Sequence, residues 1–107
     1  MSYKLNEKTR IDNMIDFSII FNNKEIGVLN ININEEDIFI RQIRIFEEYR
    51  RSGHAKNMIE YLKGKFKRNI GFCIATNSES AIKFWKKILE ENKYIHVRGD
   101  IYKLIYQ

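Results

Sequence analysis

Apolar residues recur at every second position through the first half of the chain and at every third and fourth from Ala55 onward. The first period belongs to strands with one buried face, the second to an amphipathic helix. The change falls across Arg50-Arg51-Ser52-Gly53-His54-Ala55. A chain of this kind must lay helices on a sheet, and this stretch is the joint between the two. Its chemistry also suits an anion. Glycine allows close backbone approach, two arginines bring charge, and a helix start presents N–H groups with the positive end of its dipole. The competing reading is a basic strand-to-helix turn that binds nothing. The spacing matches neither Gly-x-x-x-x-Gly-Lys-Ser/Thr nor Gly-x-Gly-x-x-Gly.

Length and charge narrow the choices. A chain of 107 residues supports one domain around one core, here taken as residues 1–107. No apolar run approaches the roughly 20 residues needed to span a bilayer, so no membrane role is expected. The first eight residues lack the apolar stretch of a secretory signal, and Cys73 is the single cysteine, so a cytoplasmic location is expected. Cys73 sits in Ile70-Gly71-Phe72-Cys73-Ile74-Ala75 and reads as a small buried hydrophobe. A net charge of +5 favours anionic partners without choosing among them.

Ile15, Phe17, Ile19 and Phe21 alternate, and Asn22-Asn23-Lys24 offers a turn before a second strand from Glu25 to Ile33. Glu35-Glu36-Asp37 forms a solvated loop. Ile38 to Phe46 is a third strand, central because Ile38-Phe39-Ile40 is apolar on both sides. Ala55, Met58, Ile59, Leu62 and Phe66 set a helix at about 54–67. Asn69 to Ala75 has strand length, and Thr76-Asn77-Ser78-Glu79 fits a capping box with Thr76 at the N-cap. A second helix at about 78–90 follows, with Ala81, Phe84, Trp85, Ile88 and Leu89 on one stripe. Tyr94 to Val97 and Ile101 to Tyr106 make a final hairpin around Arg98-Gly99-Asp100. The order is βββαβαββ. Residues 1–13 are polar and form either a short edge strand or a loose segment.

This order, with the sequence Ile43-Arg44-Ile45-Phe46-Glu47-Glu48-Tyr49-Arg50-Arg51-Ser52-Gly53-His54-Ala55, resembles the GCN5-related N-acetyltransferase (GNAT) family and its strand followed by Arg/Gln-x-x-Gly-x-Gly/Ala. Ser78-x-x-Ala81-x-x-x-Trp85 is similar to the family's Asn-x-x-Ala-x-x-x-Tyr, with two of the three positions substituted. The resemblance covers about residues 15–106. It implies an α+β fold, an α/β three-layer arrangement in which a mixed, mostly antiparallel sheet has a parallel central pair splayed to hold the cofactor. It also implies acetyl-CoA as donor and direct acetyl transfer to a primary amine. Main-chain N–H groups from Arg51 through Lys56, including Ser52, Gly53, His54 and Ala55, would wrap the pyrophosphate. Gly53 would leave room where a Cβ would collide with phosphate, and Arg50, Arg51 and Lys56 would add exposed charge. Main-chain groups of Ile43, Arg44 and Ile45 would pair with the pantetheine arm, and Ser78 and Trp85 would border it.

The catalytic residues remain open at this level. Trp85 stands where the family often has a tyrosine acid, and an indole N–H is not acidic. Phe39-Ile40-Arg41-Gln42 holds no carboxylate where some members place a base. Glu47, Glu48, His54, His96, Tyr94, Tyr102 and Tyr106 are the remaining candidates, each also readable as structural or solvated. The helices that in relatives lie between the first two strands and help build the acceptor pocket are absent or vestigial here. The acceptor is therefore a small molecule or a protein amine, with a homodimer as one way to complete the pocket. A noncatalytic acyl-CoA-binding or partner-binding domain is the alternative. A basic nucleic-acid module is the least supported, because helix-turn-helix spacing, zinc ligands and aromatic RNP motifs are missing.

Overall fold

The computed structural model describes residues 2–75 and 78–106. Strands β1 (Tyr3–Ile11), β2 (Met14–Phe21), β3 (Lys24–Ile33) and β4 (Asp37–Ile45) form an antiparallel meander. A 3-10 turn at Glu47–Tyr49 leads to helix α1 (His54–Phe66), then β5 (Asn69–Cys73), helix α2 (Glu79–Glu90), β6 (Tyr94–Arg98) and β7 (Ile101–Leu104). Among the described residues they make one sheet in the order β1-β2-β3-β4-β5-β7-β6, parallel only between β4 and β5. No helix among the described residues is long and apolar enough to cross a membrane.

The expected α+β mixed sheet with two helices is what the chain forms. The N-terminal segment departs from the short or loose alternatives. It is a nine-residue edge strand, because Tyr3 and Leu5 tuck against the core opposite Phe21 and Ile19 while Lys4 and the residues after Leu5 stay in water. A polar sequence with two well-placed apolar anchors suffices when a neighbouring strand supplies the hydrogen bonds. A tight turn at Asp12-Asn13, with Asp12 at φ 53°, joins β1 directly to β2. No helix intervenes between them.

One face of the sheet carries both helices. Ile15, Ile31 and Ile40 align across β2, β3 and β4, and Ile38, Ile70 and Leu104 align across β4, β5 and β7. All are buried in one core with Met58, Ile59 and Leu62 of α1 and Trp85 and Ile88 of α2. Lys56–Glu91 and Lys63–Asn92 contacts tie the helices together. The opposite sheet face bears no helix among the described residues. There Asp16 accepts from Thr9, Asn30 and Arg41 at 2.8, 2.7 and 3.1 Å. Those bonds, the Thr9 hydroxyl first, hold its carboxyl below the usual range.

Cys73 is corrected by the structure. It is exposed, because the alternation of β5 gives its inward positions to Ile70 and Phe72. The α2 cap also shifts. Thr76 lies outside the described residues, and Ser78 is the N-cap, its hydroxyl accepting from the Ala81 N–H at 3.3 Å.

Candidate functional site

The site originates in a failure of strand pairing. β4 pairs with β5 only from Asp37↔Asn69 to Phe39↔Gly71, yet β4 runs on to Ile45. Between β3 and β4 the register slips after Asn30↔Gln42, so that Ile31 pairs with Ile40 and Arg41 is the extra residue of a bulge. A bulge bends its strand and increases the twist. Here it lies two residues past the last β5 pair, where the strands part. The Arg41 guanidinium pins the bulge by donating to Asp16 and to the Ile31 carbonyl at 3.3 Å.

Beside the stretch of β4 that β5 leaves unpaired lies a cleft of about 590 Å3. Ile43, Arg44 and Ile45 of β4 form one wall, the Tyr49–Lys56 segment forms the end, and α2 supplies Ala81, Phe84, Trp85 and Ile88 opposite. Gly27 of β3 presses against the β4 wall from behind. A Cβ there would lie 2.2 Å from the Arg44 carbonyl oxygen and 3.0 Å from Ile45 Cα. Only glycine lets β3 approach the strand this closely.

The end of the cleft is built for an anion. Gly53 is the N-cap of α1 at φ 78°, and no side chain caps the helix. The His54, Ala55 and Lys56 N–H groups, which have no partner within the helix, therefore open at the end of the cleft. Arg51 is also left-handed, at φ 67°. Non-glycine residues hold that conformation only where surrounding structure imposes it. Beside it, Arg50 Nε donates to the Ile45 carbonyl at 2.7 Å and fastens the turn to the end of β4. The need for glycine at 53 is conformational as far as the protein itself is concerned, since a Cβ would meet only Asn57 Nδ2 at 3.9 Å.

Of the cofactor residues expected from sequence, Ile43, Arg44, Ile45, Arg50, Arg51, Gly53, His54, Ala55, Lys56, Ser78 and Trp85 all line this cleft. Ser52, in the same turn, is exposed and is not among the lining residues. Two expectations change in kind. Arg50 is a structural tether as well as a charge, and Lys56 is already paired, its Nζ 3.0 Å from Glu91 Oε2. Arg51→Ala should therefore weaken binding of a phosphorylated ligand in a manner that fades with added salt. Arg50→Ala should leave a loss that persists at high salt, because the tether goes with the charge. Titrations at two ionic strengths separate them, and identical salt responses would refute the tether.

The catalytic candidates disperse. His54 turns away to the sheet edge, with Nδ1 2.7 Å from the Tyr3 hydroxyl and its ring 4.7 Å from that of Phe21. His96 stacks on Tyr102 at 4.6 Å, with Nε2 2.7 Å from the Gly99 carbonyl. Glu47, Glu48, Tyr94, Tyr102 and Tyr106 are not among the residues lining the cleft. Trp85 is 8% exposed and lies flat on Phe72 with ring centroids 4.1 Å apart. It serves at once as core and as cleft wall. Sequence reasoning missed Tyr49, Ser80, Lys87 and Glu91, and read Ala81, Phe84 and Ile88 as a core stripe without placing them in the cleft. Lys87 and Glu91 share a face of α2 at helical spacing, but their pattern alone reads as a solvated surface.

The cleft thus joins an apolar trough to a cationic, N–H-rich end. Such a shape suits a long ligand with an uncharged arm and a phosphorylated head. A family profile described as "Acetyltransferase (GNAT) family" matches residues 3–90. Among solved structures, the PaiA N-acetyltransferase from Thermoplasma acidophilum in complex with coenzyme A has a TM-score of 0.66. It is 13% identical over 88% of this chain and 62% of its own. The ribosomal-protein-S18-alanine N-acetyltransferase from Escherichia coli has a TM-score of 0.64, at 14% identity over 92% of this chain and 72% of its own. A GNAT family acetyltransferase from Elizabethkingia anophelis with acetyl-CoA bound has 0.55, at 15% identity over 96% and 95%. The chain spans less than two thirds of the Thermoplasma protein's length. A search of curated proteins found no match.

Proposed function

The chain belongs to the GNAT family of acetyltransferases, and on that premise we propose that it takes acetyl-CoA in the cleft between β4 and α2 and passes the acetyl group directly to a primary amine. The single observation that carries this reading is the continuity of the cleft, from the uncapped N-terminus of α1 to the stretch of β4 that β5 leaves unpaired. Similar folds with coenzyme A or acetyl-CoA bound support the choice of ligand.

In this reading the pyrophosphate accepts from the N–H groups of the Arg51–Lys56 turn, and its charge completes the cap that α1 lacks. Main-chain groups of Ile43, Arg44 and Ile45 hydrogen-bond the pantetheine arm along the free edge of β4. An N–H near Ile43 donates to the thioester carbonyl and to the oxyanion formed as the amine attacks; its collapse breaks the C–S bond, and the departing thiolate leaves as free CoA with the proton that the nitrogen sheds. Trp85 and Phe84 wall off water. The amine arrives neutral or loses its proton to water, since in the cleft lining the Glu91 carboxylate is paired with Lys56 and the His54 ring is turned to Tyr3 at the sheet edge. The acceptor enters across the sheet face left open by the direct β1–β2 turn, which suits a protein amine or a pocket completed by a second copy of the chain. Residues 1–107 act as one domain, in the cytoplasm.

The burial of Trp85 favours a second reading, a domain that binds acyl-CoA without catalysis. Calorimetry with acetyl-CoA at low salt, followed by thiol release with a panel of amines and lysine peptides, decides between them. Saturable binding with thiol release is the expected result. Binding without release selects the noncatalytic reading, and absence of binding overturns both.

A further inference from the structure

Five cationic side chains line the cleft, from Arg44, Arg50, Arg51, Lys56 and Lys87, and the only carboxylate among the lining residues is that of Glu91. Glu91 is the C-cap of α2, and its backbone N–H is bound by the last carbonyls of that helix. Its side chain reaches across to Lys56 in the first turn of α1. A cation in a first turn opposes the helix dipole, and α1 has no acidic residue in that turn to offset it. Glu91 supplies the missing negative charge from the other wall.

We propose that Glu91 is an internal counter-ion that competes with the donor's phosphates for Lys56, and so sets both the affinity for acyl-CoA and its salt dependence. The inference rests on the acetyl-CoA reading of the cleft. A carboxylate and a phosphate oxygen seek the same ammonium protons, and the Lys56–Glu91 contact lies within the lining of the cleft that the phosphates would enter. The pair is suited to exchange and not to permanent locking, with side chains 52% and 36% exposed. Exposed pairs of this kind contribute little to folding. The fold therefore tolerates the loss of a contact that the ligand would feel directly.

The test is a cycle of acetyl-CoA titrations at low and high salt. Glu91→Gln keeps the backbone cap and is expected to tighten binding about fivefold at low salt, with the gain shrinking as salt is added. Lys56→Gln should weaken binding at low salt, because it removes a cation from the lining and leaves the Glu91 carboxylate uncompensated beside the phosphates. Glu91→Gln placed in the Lys56→Gln protein should give a smaller gain than in the wild type, because no lysine is left for it to release. Thermal melts of each variant establish that the fold is retained. Wild-type protein that fails to bind acetyl-CoA removes the donor reading and this inference together. Wild-type binding combined with no gain for Glu91→Gln overturns this inference alone. The same holds for an equal gain in the Lys56→Gln background, or from Glu90→Gln one residue away.

Discussion

Trp85→Ala is expected to remove about 3–5 kcal/mol of stability, the range for deleting a large buried aromatic. The ring is stacked on Phe72, which is fully buried, and meets Phe84 edge-on at 4.9 Å. A domain of this size has about 5–15 kcal/mol in total, so the loss would bring unfolding close to ambient conditions. Chemical denaturation measures it, and a change below about 1 kcal/mol would show that the stack is not part of the core. Trp85→Tyr separates packing from chemistry. It keeps most of the aromatic surface and places a hydroxyl at the position where the GNAT pattern often has its acid. Faster thiol release in the Tyr variant would mean that protonation of the departing thiolate limits the native chain. Unaltered release in both variants would remove Trp85 from the reaction.

Much of this architecture can be read from residue patterns because burial imposes a period. Ile15, Phe17 and Ile19 announce a sheet face, and Met58, Ile59 and Leu62 announce a helix face. The bulge that opens the cleft also left a trace. Ile38 and Ile40 are buried at even positions, Ile45 at an odd one, and the polar pair Arg41-Gln42 marks the change of phase. A strand cannot switch faces without one extra residue. β1 was harder to read because an edge strand needs few apolar residues, and only Tyr3 and Leu5 are drawn inward. Pairing partners were invisible altogether. His54 looks like a base until Tyr3, 51 residues earlier, takes its Nδ1. Lys56 looks like a free cation until Glu91, 35 residues later, reaches it. Such contacts depend on which elements become neighbours, and local spacing does not carry that information.

Gly27→Ala is expected to disrupt donor binding from outside the cleft. The added methyl would lie 2.2 Å from the Arg44 carbonyl oxygen and 3.0 Å from Ile45 Cα, both backbone atoms of the strand that walls the site. No rotamer change relieves such a contact. β3 and β4 must separate locally, and the cost should reach about 3 kcal/mol, the upper end for overpacked sites. Gly71→Ala is the steric control, because its methyl would press at 3.1 Å on the Phe39 ring, which can turn aside. Gly53→Ala is the conformational control. It meets nothing closer than 3.9 Å, but at φ 78° an alanine costs about 1–2 kcal/mol. The three should therefore order differently in two measurements. Thermal melts should rank Gly27→Ala as the most damaging, whereas acetyl-CoA titration should show large losses for both Gly27→Ala and Gly53→Ala and little for Gly71→Ala. The comparison turns on β4. If its main chain holds the pantetheine arm, moving the Arg44 carbonyl from 2.2 Å to beyond the 3.0 Å that a Cβ requires misaligns that arm even in molecules that remain folded. Native affinity in a folded Gly27→Ala protein would mean that the arm does not depend on this stretch of strand, and would remove Ile43, Arg44 and Ile45 from the proposed site.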